Sequence, residues 1–159
     1  MGPLRHATLV RTCALAVLFA APLAGCTKEP DPVPTACFAA PGTLVAALRQ
    51  APAAVALQDG TRLSRCVSTA RTDGDLQSLG ISLGRAADSL RARAGTDPAA
   101  AVQLGYLGGA VRAGARGASS GIADQLARRV GQLAMLAPGA SAAATAALQR
   151  GERAGERSG

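Results

Sequence analysis

A chain of 159 residues with 48% hydrophobic residues is long enough for one domain and too short for two ordinary ones. With no tryptophan, two phenylalanines and one tyrosine, its core must be built from Leu, Val and Ala. That composition favours closely packed helices over a sheet of β-branched and aromatic residues. The formal net charge of +7 comes almost wholly from arginine, Lys28 being the one lysine. Beside so much Ala and Gly this is the imprint of a GC-rich genome, so arginine enrichment alone argues for no particular partner.

The N-terminal stretch carries Arg5 and Arg11 without an acid, and Cys13 to Gly25 then runs without a charge. This is the layout of an export signal. A membrane span needs about 20 apolar residues, and Pro22 and the polar TKEPD that follows cut this run short. No twin arginine is present, which points to the general secretory route. Leu23-Ala24-Gly25-Cys26 resembles the lipobox of bacterial lipoproteins, a branched apolar residue and two small ones leading into a cysteine. In that family a diacylglyceryl group is joined to the cysteine sulfur and a dedicated peptidase cuts just before it. The resemblance implies cleavage between Gly25 and Cys26, lipid on Cys26, and a cell-membrane anchor on the extracytoplasmic face. Thr27, in place of aspartate, would by the same analogy favour the outer membrane of an organism that has two. An ordinary signal peptide that leaves Cys26 as a thiol and an uncleaved anchor are the alternatives. The resemblance covers about the first 26 residues and implies nothing about the rest.

If Cys13 leaves with the signal and Cys26 takes lipid, Cys37 and Cys66 remain in an oxidising compartment, where a disulfide between them is the expectation. It would close a loop of about 30 residues, worth on the order of 3.5 kcal/mol in the chain-entropy model. The spacing is not C-x-x-C, and His6, the one histidine, lies in the signal, so neither a redox pair nor a metal site is supported. Pro30, Pro32 and Pro34 alternate before Cys37 and read as an extended tether, at about 3.1 Å per residue.

Pro41-Gly42-Thr43 opens a short helix through Leu44, Val45 and Leu48, stopped by Pro52. VALQDGTRLS has a hairpin-like pattern on flanks too short for a sheet, so a turn at Asp59-Gly60 is expected, with a helix carrying Cys66 from near Ser64. The clearest helix runs from about Thr72 to Ala94: Thr72 and Asp75 resemble a capping box, and Leu76, Leu79, Leu83, Ala86, Ala87, Leu90 and Ala94 form one apolar stripe. Asp97 and Pro98 launch a second helix through Val102, Leu104, Leu107 and Val111. A third begins near Ser120, with Ile122, Leu126, Val130, Leu133 and Leu136 or Ala137 turned inward and Pro138-Gly139 as its end. Three amphipathic helices on short connections predict an all-α, small up-and-down bundle of three to five helices. The expected organisation is a signal peptide at 1–25, a lipidated cysteine and proline-rich linker at 26–36, a helical domain at 37–137 and an Ala/Gly-rich tail at 138–159. Within that tail SAAATAALQR is expected to form a weak terminal helix, and GERAGERSG to be disordered.

LGYLGG places Gly105, Gly108 and Gly109 inside a helix, at a cost of about 1 kcal/mol each against alanine. Close approach of a neighbouring helix is one explanation, and a ligand groove or a dimer face is the other. Without a histidine beyond the signal there is no Ser-His or Cys-His pair, and the aspartates read as caps, turns and solvated faces. The chain is therefore not expected to be an enzyme, and no cofactor is implied. Export and the scarcity of aromatic side chains speak against nucleic acid. After loss of Arg5 and Arg11 the net charge is +5. Arg112, Arg116, Arg128 and Arg129 flank Gly117, where they could form one basic end facing anionic headgroups or an envelope polymer. The reading is a lipid-anchored helical protein that binds or organises an envelope component. The rivals are a small-ligand receptor with a groove at Gly105 to Gly109, and an enzyme of unrecognised type.

Overall fold

A computed structural model describes residues 31–118 and 121–159. The signal peptide, the lipobox and Cys26 lie outside the described residues. The fold is an all-α helical bundle, as the sequence predicts. Its helices are α1 (Pro41–Ala47), α2 (Leu63–Thr69), α3 (Asp73–Ala94), α4 (Pro98–Arg116), α5 (Gly121–Leu133) and α6 (Ala142–Ser158). The count exceeds three to five because the segment after Pro138 adds a helix of its own.

The starts of the long helices follow from local chemistry. Thr72 Oγ1 accepts from the Asp75 N–H at 3.1 Å while Asp75 Oδ2 accepts from the Thr72 N–H at 3.1 Å, a complete capping box. Asp97 Oδ1 accepts from the Ala99 N–H at 2.9 Å ahead of Pro98, and Ser141 Oγ accepts from the Ala144 N–H at 3.1 Å at the start of α6. Between α1 and α2 the chain turns tightly at Asp59-Gly60, with Gly60 at φ +82° and a single bridge pairing Ala56 with Arg62. Leu63, Cys66 and Val67 are buried on α2. Cys37 and Cys66 form the expected disulfide, with Cα atoms 5.4 Å apart, and both are buried.

Every residue of the stripe read on α3 is buried, from Leu76 to Ala94, as are Val102, Leu104, Leu107 and Val111 on α4. Helix α5 departs from expectation at one end. Leu126 and Val130 are buried and Leu133 and Leu136 are half-buried, but Ile122 is 41% exposed and Ala137 faces solvent. The short turn at Gly95–Asp97 makes α4 antiparallel to α3. Helix α5 runs parallel to α3, since Leu126 lies over Gly80 and Leu133 over Gly84.

The centre of the molecule is α4, buried over most of its length. Its glycines mark the places where other helices cross it. A β-carbon at Gly114 would collide with the Ser64 carbonyl oxygen of α2, and one at Gly108 would lie 3.2 Å from the Ala134 Cβ at the end of α5. Gly105 and Gly109 face α6, where β-carbons would lie 2.9 Å from the Glu152 nitrogen and 3.0 Å from the Glu156 nitrogen. The match is reciprocal: β-carbons at Gly151 and Gly155 would lie 2.9 Å and 2.8 Å from the Tyr106 and Ala110 nitrogens. The residue numbers rise together along the two helices, so α4 and α6 run parallel, backbone against backbone.

Two boundaries therefore move. The segment 138–159, expected as a partly disordered tail, is a docked helix from Ala142 to Ser158. Its glycines at 151 and 155 repeat at the four-residue interval that stacks them on one face, which lets two helix axes approach closely enough for extensive backbone packing. The linker also ends earlier than 36. Val33 and Ala36 pack against the core, and the Arg65 guanidinium meets Asp31 Oδ2 at 3.4 Å.

Candidate functional site

A groove of about 810 Å³ lies between α3 and α5. Its floor is apolar, made by Leu76, Leu126 and Val130, and its walls carry two large exposed side chains, Ile81 at 52% and Ile122 at 41%. Polar groups edge it on both sides: Asp73, Gln77, Arg85 and Asp88 from α3, Gln125, Arg129 and Gln132 from α5. The local cause lies in α3. Where the heptad pattern turns toward α5, the sequence supplies Gly80 and Gly84, so that wall has no side chain at two successive turns. A β-carbon at these positions would sit 3.4 Å from Leu126 Cδ1 and 3.7 Å from Leu133 Cδ1, ordinary van der Waals contact. These two glycines are not required by packing, unlike those of α4, and their effect is to keep the groove deep.

The residues singled out from sequence do not assemble into one site. Arg112 is held between carboxylates of α6, with its Nε 3.1 Å from Glu156 Oε1 and a terminal nitrogen 3.4 Å from Glu152 Oε1, and is half-buried. Arg116 is exposed at the end of α4, and Arg128 and Arg129 are exposed on α5, with Arg129 lining the groove. The expected basic end is thus divided, because α6 continues as a helix through the stretch expected to be disordered and brings Glu152 and Glu156 against Arg112. Cys37 and Cys66 are bonded and buried, a staple between the start of the domain and α2. A ligand groove at Gly105 to Gly109 is ruled out, since the α6 backbone fills that space.

Tyr106 is fully buried. Its hydroxyl accepts from the Val55 N–H at 3.0 Å and lies 3.4 Å from Ser158 Oγ, so it joins the loop before α2 to the end of α6. The carboxyls held below the usual aspartate range belong to structural features. Asp59 is lowered by the Thr61 backbone and side chain in its turn, and Asp75 by the Thr72 side chain and backbone in the capping box. Among the described residues no group of three His, Cys, Asp or Glu side chains is placed to hold a metal ion, and no helix is long and apolar enough to cross a membrane. A smaller hollow of about 300 Å³ beside α1 is lined by Ala36, Ala47, Gln50 and Leu57 among others, with no ionisable group.

Sequence reasoning missed the groove. The signal was present in the spacing of Gly80 and Gly84 within α3 and in Ile81, which stands outside the buried stripe. Comparison of the chain with protein-family models, with curated proteins and with solved structures finds no match.

Proposed function

We propose that this protein is a lipid-anchored component of the bacterial cell envelope that acts by binding, with the groove between α3 and α5 receiving an amphipathic helix of an envelope protein. The observation that carries the reading is the pairing of Ile81 and Ile122, both exposed, across an apolar floor. A pocket for a small metabolite buries most of its ligand, whereas this groove is open along two parallel helices and rimmed by mixed charges and amides. That shape fits an apolar helix face laid lengthwise, with the rim setting register. The anchor rests on Leu23-Ala24-Gly25-Cys26, and two acyl chains on Cys26 would hold far more firmly than one.

Two measurements test the two halves separately. Mass analysis of the N-terminal peptide from native membranes should find Cys26 at the terminus carrying a diacylglyceryl group; an intact leader or another first residue would sink the anchor. Photo-crosslinkers placed at Ile81 and at Ile122 should trap the same protein, while one at Ala143 on α6 should not. Glutamate at the other isoleucine should abolish each crosslink while leaving the helical circular dichroism unchanged. Different proteins at the two positions, or crosslinks indifferent to the glutamate, would overturn the groove.

A further inference from the structure

We infer that the outward face of α6 is a contact surface for anionic lipid headgroups, carried by Arg150, Arg153 and Arg157. At about 100° per residue the three guanidinium stems fall within an arc of roughly 60° on the helix, away from the face formed by Ala144, Ala147, Gly151, Ala154 and Gly155 that packs on α4. All three arginines are exposed, and none forms an ion pair among the described residues. The carboxylates of the same helix, Glu152 and Glu156, are turned to the other flank and engaged by Arg112. Ala142, Ala143 and Ala146 are exposed on the first half of α6. Thr145 and Gln149 are exposed there too, so no acidic side chain of that half opposes an anionic surface.

The position of the stripe relative to the tether selects a membrane as the partner. Ser64 Oγ donates to the Gly159 carbonyl, so the end of α6 meets the start of α2. The neighbouring Arg65 is the residue that grips Asp31, where the chain arrives from Cys26. The Arg157 end of the stripe and the arriving tether thus share one corner of the molecule, and Arg62 is exposed at that corner as well. With Val33 already packed on the core, the chain from Cys26 to Val33 can span at most about 25 Å. The inference rests on the lipid anchor proposed above: a domain held that close to a bilayer meets headgroup phosphates at high effective concentration.

The test needs no anchor, so its outcome is separate from the mass analysis of Cys26. The mature chain from residue 26 onward, made without the leader and carrying Cys26→Ser, is sedimented with phosphatidylcholine vesicles, with and without phosphatidylglycerol, at low salt. Binding should require phosphatidylglycerol and disappear at high salt. Changing Arg150, Arg153 and Arg157 together to Gln should weaken it about 100-fold, as expected for three charges near an anionic surface. Changing the same three to Lys should keep it within a few-fold, and Arg128→Gln with Arg129→Gln on α5 should leave it intact. Circular dichroism of each variant reports the fold. Equal binding to pure phosphatidylcholine, or a folded Gln variant that binds as the parent does, overturns the inference; the vesicle comparison on the parent stands even if that variant does not fold.

Discussion

A β-carbon at Gly151 would lie 2.8 Å from the Val102 carbonyl carbon and 2.9 Å from the Tyr106 nitrogen, both backbone atoms in the middle of a helix that cannot yield. Alanine there ordinarily favours a helix by about 1 kcal/mol, but the two axes would have to separate along their length. Overpacking of this kind costs roughly 1–3 kcal/mol, so the net effect of Gly151→Ala, and of Gly105→Ala facing it, is destabilising. Gly131 on α5 is the opposite case, with nothing within 4 Å of the position a β-carbon would take. Gly131→Ala should therefore raise stability by about 0.5–1 kcal/mol. Urea unfolding of the three variants should give midpoints on both sides of the parent. A lowered midpoint for Gly131→Ala, or a raised one for Gly151→Ala, would contradict the packing described.

Among the elements, α3 was the most legible in the sequence, since its start is written as Thr72 and Asp75 and its buried face as a run of leucines and alanines. That legibility has a measurable counterpart. The Asp75 carboxyl is held below its ordinary range by the Thr72 side chain and backbone, so the stability it confers is full above the unfolded aspartate value of about 3.9 and is lost as pH falls through the lower folded value. Thr72→Ala should cost about 1 kcal/mol at neutral pH. Asp75→Ala should be most costly above about pH 5, and its penalty should shrink in acid, where the parent carboxyl is protonated too; a pH-independent penalty in urea titrations would remove Asp75 from the cap. Helix α4 was legible in its start and apolar positions, and the disulfide and the turn at Asp59-Gly60 were legible as well. Helix α6 was legible only in its first half, as a weak helix over SAAATAALQR, because Leu148 is its one large apolar residue and hydrophobic periodicity weighs side chains. What docks α6 is the absence of side chains at Gly151 and Gly155 opposite Gly105 and Gly109, a complementarity between two segments far apart in sequence. Ile122 was misplaced as well: its spacing matched the inner face of α5, but it lies in the first turn of that helix, ahead of Leu126, which meets Gly80, and is 41% exposed at the groove.

For the whole molecule the consequence is that α6, which contributes little apolar surface, closes the bundle. Its docking relies on many short contacts between backbones, each worth little and all lost together when the axes part. Tyr106 lies at that junction, fully buried, with its hydroxyl reaching Val55 on one side and Ser158 on the other. It is the one tyrosine of a chain without tryptophan, so the tyrosine band of the near-ultraviolet circular dichroism, which stands on the broad contribution of the Cys37–Cys66 disulfide, reports this junction. Ending the chain after Ala140 would bare Gly105, Tyr106 and Gly109 to water and leave the central helix with one flank open. The shortened chain should keep most of its far-ultraviolet helical signal, because α3, α4 and α5 still cover one another. It should lose the tyrosine band and the sharp unfolding transition, the behaviour of a compact state whose packing is no longer fixed. If α6 were an accessory laid on a finished bundle, the tyrosine band and a steep transition would both survive its removal.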